Sequence, residues 1–214
     1  MNEIESRIRE SGIVAILRGD FPPARLAAII EGLQSGGVRV LEVTLNSANA
    51  LQAIEAARRQ AGDHLLVGAG TVRTPEDVEA AIGAGAMFLV SPNFDPTSVA
   101  LSRRAGILHL PGAFTPSEVQ AAFAAGCPLV KLFPADALGP AYLRAIRAPL
   151  DDVGLVAVGG IGESNLGDYI RAGAVAVGVG SALVRGAADE QETIATRARG
   201  LVHAFQQARP AGIS

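Results

Sequence analysis

The sequence is poor in aromatic residues, cysteine and lysine. It contains no tryptophan, only 4% aromatic residues and a single cysteine, Cys127. One cysteine excludes an intrachain disulfide framework and is typical of a reducing compartment. The low aromatic content predicts an aliphatic core. Charged residues make up 18% of the chain and apolar residues 49%, a balance that excludes a disordered chain and a coiled coil.

The chain also lacks a strong charge of either sign and a long hydrophobic run. Its formal net charge of −3 provides no electrostatic footprint for nucleic acid or for an acidic membrane surface. Residues 1–12 are charged and lack the apolar segment of a signal peptide. The uncharged, apolar stretch of residues 172–184 is too short to span a bilayer. We therefore expect a soluble, cytoplasmic protein that binds neither nucleic acid nor membrane.

A short apolar run followed by a longer stretch rich in Ala, Glu and Arg recurs along the whole chain. The runs predicted as strands are residues 13–17, 38–44, 65–70, 87–92, 108–112, 129–134, 155–160 and 174–180. Their spacing suits a strand followed by a crossover helix, so consecutive strands should be parallel. Eight such units predict a single (β/α)8 barrel domain over residues 1–214, with an open doubly wound sheet as the alternative. A helix over residues 2–10 is expected to plug the bottom of the barrel.

Lys131 is the only lysine among 18 Lys and Arg residues, and it lies inside the apolar run PLVKLFP. Strand alternation places Leu129, Lys131 and Phe133 on one face. Because Val130 and Leu132 suit the helix-facing side, Lys131 should point into the barrel. Burial lowers the pKa of a lysine, and a neutral amine attacks carbonyl carbon, whereas arginine cannot lose its proton. This pattern predicts a Schiff-base lysine; the alternatives are a structural ion pair and an ammonium group that reaches solvent.

Glu42 is a carboxylate inside another apolar run, VRVLEVTL. Val40, Glu42 and Thr44 share one face of this strand, so Glu42 could meet Lys131 near the top of the barrel. Imine formation moves protons on and off oxygen, and retro-aldol cleavage needs a base for a hydroxyl proton. The alternative is a buried ion pair that only determines packing.

Two glycine-rich turns end the last two predicted strands. Gly159 and Gly160 follow Val158, and Gly180 and Ser181 end GVGS. In (β/α)8 barrels, the loops after strands 7 and 8 often bind phosphate through backbone N–H groups. The turns therefore predict a phosphate site; the alternative is tight turns that only require small residues. The three histidines lie far apart in the sequence, so we expect no metal.

A series of motifs resembles the class I 2-keto-3-deoxy-6-phosphogluconate (KDPG) and 4-hydroxy-2-oxoglutarate (KHG) aldolases. In chain order the motifs are GGVRVLEVTL, VGAGTV, VSPN, LPGAFTPSE, VKLFPA, AVGGI and AVGVGSALV, within residues 13–184. The resemblance implies a (β/α)8 barrel that assembles as a homotrimer and works without a cofactor. It also implies cleavage of a phosphorylated keto-deoxy sugar acid to pyruvate and glyceraldehyde 3-phosphate, as in the Entner–Doudoroff pathway.

The resemblance implies a role for each matching residue. Lys131 in KLFP matches the Schiff-base lysine, and Glu42 in LEVTL matches the general acid and base. The residues that match the pyruvate pocket are Thr71, Pro92 and Phe133. The residues that match the phosphate-binding turns are Gly159, Gly160, Gly180 and Ser181.

Two positions depart from the gluconate-type pattern. Many such members carry an arginine for the pyruvyl carboxylate where this chain has Asn46. We expect Arg18, in AILRG, to bind that carboxylate instead, because a guanidinium suits bidentate binding. Val158 stands where gluconate-type members often have threonine, and LNS, SPN, LGP and AVGG resemble the branch acting on the C4 epimer, 2-keto-3-deoxy-6-phosphogalactonate (KDPGal). AVGVGSALVRG resembles the gluconate branch, so both epimers remain candidate substrates, with 4-hydroxy-2-oxoglutarate as a third.

Two other functions stay open from the residues alone. A phosphosugar isomerase or epimerase would use the same barrel and phosphate site, with acid/base carboxylates and no imine. A non-catalytic phosphometabolite-binding protein would keep Lys131 and Glu42 as an inert pair. In each case the expected ligand is a small phosphorylated molecule.

Overall fold

The computed structural model describes residues 2–186 and 189–209. In this part of the chain the strands are β1 (Ile13–Leu17), β2 (Val40–Thr44), β3 (Leu66–Gly70), β4 (Phe88–Val90), β5 (Leu108–Leu110), β6 (Gly112–Ala113), β7 (Leu129–Leu132), β8 (Gly154–Val158) and β9 (Ala176–Val179). The α-helices are α1 (Glu3–Ser11), α2 (Pro23–Ser35), α3 (Ala50–Ala61), α4 (Pro75–Gly83), α5 (Pro96–Arg104), α6 (Pro116–Ala124), α7 (Gly139–Arg147), α8 (Leu166–Arg171) and α9 (Gln191–Ala208). None of these helices is both long and apolar enough to cross a bilayer.

The strands form a closed barrel in which a proline divides one of the predicted strands. They pair in the order β5-β4-β3-β2-β1-β9-β8-β7-β6, and all pairs are parallel. β5 and β6 are two pieces of one predicted strand, which Pro111 divides because it has no backbone N–H. The Pro111 carbonyl still accepts a hydrogen bond of 2.9 Å from the N–H of Lys131 on β7. The predicted (β/α)8 barrel is therefore confirmed, with nine strand segments in place of eight strands.

The predicted strands extend too far at their carboxyl ends. Pro92, Gly159 and Gly160 all lie in loops beyond β4 and β8. Proline cannot donate to a strand ladder, and the two glycines have φ values of 117° and 62°, outside the range of strands. These residues consequently leave the barrel wall at the end where the predicted site lies.

Alternation along the strands produces two apolar cores. Leu41, Val43, Val130 and Leu132 are buried between the barrel and its helices. The barrel interior is filled by Val14, Val40, Leu66, Phe88, Leu108, Leu129, Val156 and Ala176. Ile8 of α1 belongs to this interior cluster and is fully buried, which stabilises the fold by about 1.5–3 kcal/mol. The N-terminal helix thus plugs the end of the barrel where the strands begin, as predicted.

Candidate active site

Lys131 and Glu42 face the barrel interior directly above its apolar core. Lys131 lies on β7 two residues after Leu129, and Glu42 lies on β2 two residues after Val40. Leu129 and Val40 both belong to the interior cluster. Only 5% of Lys131 and 2% of Glu42 is exposed. Both side chains therefore point inward, as alternation predicts, and lie toward the carboxyl ends of the strands, where barrel enzymes place their chemistry.

Burial favours the uncharged forms of both groups. It raises the pKa of Glu42 above its ordinary value, against the lowering effect of the positive charges on Lys131 and Arg18. Burial lowers the pKa of Lys131, with the Glu42 carboxylate opposing and the Arg18 guanidinium adding to the shift. A lysine with a lowered pKa has a larger neutral, nucleophilic fraction at neutral pH. The mutual effects show that three groups distant in sequence form one electrostatic cluster.

The space around this cluster is shaped by small and aromatic neighbours. A Cβ atom on Gly70 of β3 would overlap the Glu42 carboxylate, so glycine is required for Glu42 to adopt its position. The Phe133 ring lies under Lys131, with 4.9 Å between its centroid and Nζ. Among the described residues, Lys131 forms no salt bridge and its Nζ makes no hydrogen bond. The amine is therefore not committed to a carboxylate partner.

Arg18 is held at the rim by the loop that follows β2. Its Nη1 donates a 3.2 Å hydrogen bond to Asn46 Oδ1. The N–H of Gly19 donates to Ser47 Oγ at 3.0 Å, and the Ser47 and Thr44 hydroxyls are 2.9 Å apart. Asn46 occupies the position expected to hold arginine in many gluconate-type members, and it contacts Arg18, the arginine expected to replace that residue. Sequence reasoning named Asn46 as a departure from the gluconate-type pattern but missed its hydrogen bond to Arg18 and the hydrogen bond from the Gly19 N–H to Ser47.

Thr71 and Pro92 lie in the loops that follow β3 and β4. Thr71 has a φ of 57°, a left-handed conformation that is unfavourable for a β-branched residue. Both residues are partly buried, and Phe133 is 37% exposed just beyond β7. Strained residues of this kind cluster at functional sites.

The two glycine-rich turns border one open cavity of about 480 Å³. The predicted residues that line it are Arg18, Val158, Gly159, Gly160, Gly180 and Ser181. The structure thus brings the predicted carboxylate-binding arginine and both turns to one cavity. Lys131 and Glu42 are not among its lining residues; they are buried on β7 and β2.

Ser164 and Asn165 also line this cavity, and sequence reasoning missed them. The Asn165 side chain accepts a hydrogen bond from the N–H of Gly162 and donates one to the Gly160 carbonyl, both at 2.9 Å. It therefore fixes the turn that follows β8. Asp136 approaches the same turn, since a Cβ on Gly160 would lie 2.5 Å from its Oδ2.

His109 and Cys127 have structural roles outside the cluster of Lys131, Glu42 and Arg18. Residues 2–186 and 189–209 contain no group of three His, Cys, Asp or Glu side chains able to hold a metal ion. His109 is buried and hydrogen-bonded to Ser91 and Ser102. Cys127 is buried, and burial raises its pKa to about 11, so its thiol is not an activated nucleophile.

The sequence matches one family model, described as "KDPG and KHG aldolase", over residues 4–197. It is 39% identical to a probable 2-dehydro-3-deoxy-6-phosphogalactonate aldolase of Rhizobium meliloti, over 86% of this chain and 87% of that enzyme. It is 37% identical to a 2-dehydro-3-deoxy-phosphogluconate aldolase of Treponema pallidum, over 78% of each chain. A solved structure described as "Native KDPGal structure" superposes with a TM-score of 0.87 at 36% identity, over 92% of this chain and 95% of that one. The chain therefore belongs to the KDPG and KHG aldolase family and is a lyase.

Proposed function

We propose that this chain is a class I aldolase that cleaves KDPGal, its C4 epimer KDPG, or both, to pyruvate and D-glyceraldehyde 3-phosphate. Lys131 carries the proposal: a buried amine with a lowered pKa, uncommitted to a salt bridge and within the electrostatic reach of Glu42. Relatives named for either epimer support both substrates. The shorter 4-hydroxy-2-oxoglutarate, which has the same 4-hydroxy-2-keto arrangement, is a third substrate.

Binding places the substrate across the carboxyl end of the barrel. Arg18 binds the pyruvyl carboxylate through two parallel N–H groups, and Asn46 orients its guanidinium. Thr71, Pro92 and Phe133 enclose the pyruvyl carbons. The backbone N–H groups of the turns at Gly159–Gly160 and Gly180–Ser181 donate to the distal phosphate in the cavity that they border.

Covalent catalysis begins at the neutral amine of Lys131. Its nitrogen attacks the C2 ketone to form a carbinolamine, and Glu42 supplies the proton with which the C2 hydroxyl leaves as water. Glu42, now a carboxylate, removes the C4 hydroxyl proton directly or through a water. The C3–C4 bond then breaks, its electrons form an enamine with the C2 iminium, and glyceraldehyde 3-phosphate leaves. Protonation at C3 and hydrolysis of the imine release pyruvate and regenerate Lys131.

Borohydride reduction in the presence of pyruvate tests this mechanism. The expected result is a reduced pyruvyl adduct in the intact-protein mass spectrum, mapped by peptide digestion to Lys131. Since Lys131 is the only lysine, the N-terminal amine is the sole other primary amine, and Lys131→Arg should gain no adduct and no activity. A phosphosugar isomerase or an inert binding protein would give no adduct in the wild type, and full activity in Lys131→Arg would overturn the Schiff-base mechanism.

We also propose that the chain assembles as a homotrimer. Two large apolar side chains between β7 and α7, Phe133 and Leu138, are 37% and 53% exposed in the single chain. A solved structure of 35% identity is described as a cage designed by fusing symmetric oligomeric domains, which supports a symmetric assembly. Sedimentation equilibrium should give three times the chain mass; a monomer mass would refute the assembly.

A further inference from the structure

A buried chain of polar side chains crosses the barrel wall outside the site. Ser91 follows β4, His109 lies on β5 and Ser102 lies on α5, and all three are at most 4% exposed. The distance from Ser91 Oγ to His109 Nε2 is 2.7 Å, and that from Ser102 Oγ to His109 Nδ1 is 3.1 Å. Leu108 and Leu110 on either side of His109 fill the barrel interior, so His109 faces the helices. Nothing in the proposed reaction uses these groups.

The positions of the protons determine which group donates and which accepts in this series of hydrogen bonds. The Ser91 hydroxyl lies closer to the Val72 carbonyl, at 2.5 Å, than the Ser102 hydroxyl does to the Val99 carbonyl, at 2.9 Å, so we assign the ring proton to His109 Nε2, which donates to Ser91 Oγ. Burial lowers the pKa of His109 to about 4, despite the nearby Asp95 carboxylate, so the ring is neutral at neutral pH. Nδ1 is then an acceptor, and it takes the Ser102 hydroxyl proton, which is shared with the Val99 carbonyl. The donors therefore all point toward Val72: Ser102 donates to His109, His109 donates to Ser91, and Ser91 donates to the Val72 carbonyl.

This series of hydrogen bonds ends beside Thr71 and Pro92, two of the residues expected to enclose pyruvate. Val72 follows Thr71, whose φ of 57° needs support from its surroundings. The Val72 N–H donates to the Val90 carbonyl at 3.1 Å while its own carbonyl accepts from Ser91. Both peptide groups of Val72 are therefore held by β4 and the residue that follows it. Pro92, the second pocket residue, is bonded directly to Ser91.

Packing alone does not require these polar groups. A barrel wall facing helices is ordinarily filled by aliphatic side chains, and replacing both partners of a buried hydrogen bond by apolar groups of the same shape is close to neutral. Burying an imidazole and two hydroxyls instead specifies one arrangement, because every donor and acceptor must find its partner. What this arrangement specifies is the Thr71–Val72 turn relative to Pro92.

We propose that Ser91 and His109 are positioning residues, which hold Thr71 in its left-handed conformation and align it with Pro92 around the pyruvyl group. This inference rests on the proposed aldolase function and deepens it. Neither side chain touches substrate; they act on the pocket through the Val72 carbonyl. Ser102 supports them by fixing the tautomer of His109.

The test uses Ser91→Ala and His109→Leu, with the half-saturating pyruvate concentration for borohydride trapping as the readout. Each variant should raise that concentration about 2- to 12-fold, the factor that corresponds to one net hydrogen bond, and raise KM for cleavage more than it lowers kcat. His109→Gln, whose amide can donate to Ser91, should stay within about twofold of wild type. Ile194→Val, a change at a fully buried residue of α9 that packs against Gly32 of α2, should lower Tm without changing pyruvate binding. Ser91→Ala decides the matter if His109→Leu does not fold, since it removes a single oxygen atom.

A second background separates positioning from general stability. In Thr71→Gly, the turn residue adopts a positive φ without strain, so Ser91→Ala should change pyruvate half-saturation less than about twofold there while lowering Tm as much as in the wild type. Equal changes in both backgrounds, or wild-type pyruvate binding by Ser91→Ala, would overturn the positioning role while leaving the aldolase intact. If wild-type protein traps no pyruvate at all, the proposed function fails, and this inference fails with it.

Discussion

Replacing Gly70 by alanine tests how precisely the Glu42 carboxylate must be positioned for catalysis. The new Cβ would overlap the Glu42 carboxylate and lie 2.5 Å from its Cγ, whereas ordinary van der Waals contact begins at 3.4 Å. The carboxylate must therefore move by roughly 1 Å, a displacement that can cost a reaction about 100-fold in rate. We expect kcat for cleavage and the rate of imine trapping both to fall by about that factor. Overpacking should also cost about 1–3 kcal/mol of unfolding free energy.

Gly68→Ala is a matched control on the same strand and the same face. Gly68 pairs with Glu42 in the β2–β3 register, but its new Cβ would come within 2.6 Å of the Phe88 ring, and the atoms nearest to it are those of the ring and not of the carboxylate. A comparable loss of stability is expected, which lowers Tm by roughly 2–4 °C per kcal/mol, but kcat should stay within a few-fold of wild type. Gly83→Ala, near the exposed end of α4 and with nothing within 4 Å of the new Cβ, controls for the substitution itself.

Steady-state kinetics and thermal unfolding of the three variants decide the matter together. Wild-type kcat in a folded Gly70→Ala protein would refute the requirement for Glu42 in this position. Equal losses of kcat in Gly68→Ala and Gly70→Ala would show that catalysis responds to general strain in β3 and not to the carboxylate.

Three further predictions concern charge, specificity and stability. Arg18→Ala should raise the pyruvate concentration for half-saturation roughly 10- to 150-fold, from the loss of a charged hydrogen bond. Arg18→Ala should also move the acidic limb of the imine-trapping pH profile to higher pH, because Arg18 lowers the pKa of Lys131. Arg18→Lys, which keeps the positive charge, should leave that limb in place. An unmoved limb in Arg18→Ala would contradict the electrostatic argument. Val158→Thr, which adds a hydroxyl beside the cavity, should shift kcat/KM toward KDPG relative to KDPGal, and an unchanged ratio would exclude this position from C4 selection. Burial lowers the pKa of His109 from 6.5 to about 4 in the folded protein, so the unfolded chain binds a proton first and stability falls as pH drops from about 6.5 to 4. The free energy of unfolding measured in urea should therefore fall by about 2 kcal/mol between pH 7 and pH 5 through this group. In His109→Leu, the free energy of unfolding should fall less over the same interval.

Local patterns in the sequence predicted the architecture and the direction of the key side chains. Recurring apolar runs and helical stretches indicate eight strand–helix units, and the alternation about Lys131 and Glu42 indicates an inward direction. These inferences need only the geometry of a single strand or helix, which neighbouring residues determine. The break at Pro111 was missed, although a missing N–H there is also a local property.

Contacts between segments distant in the chain were decided only by the tertiary structure. The sequence by itself determined the barrel, the inward lysine and glutamate, and the two glycine-rich turns. It did not reveal that Asn46 holds Arg18, that Asn165 fixes the turn after β8, or that His109 links Ser91 to α5. Each of these contacts depends on strand register, barrel closure and the course of a loop, which bring together groups that no local periodicity relates. The residue types for chemistry are therefore readable along the chain, whereas the hydrogen bonds that position them exist only once the barrel has closed.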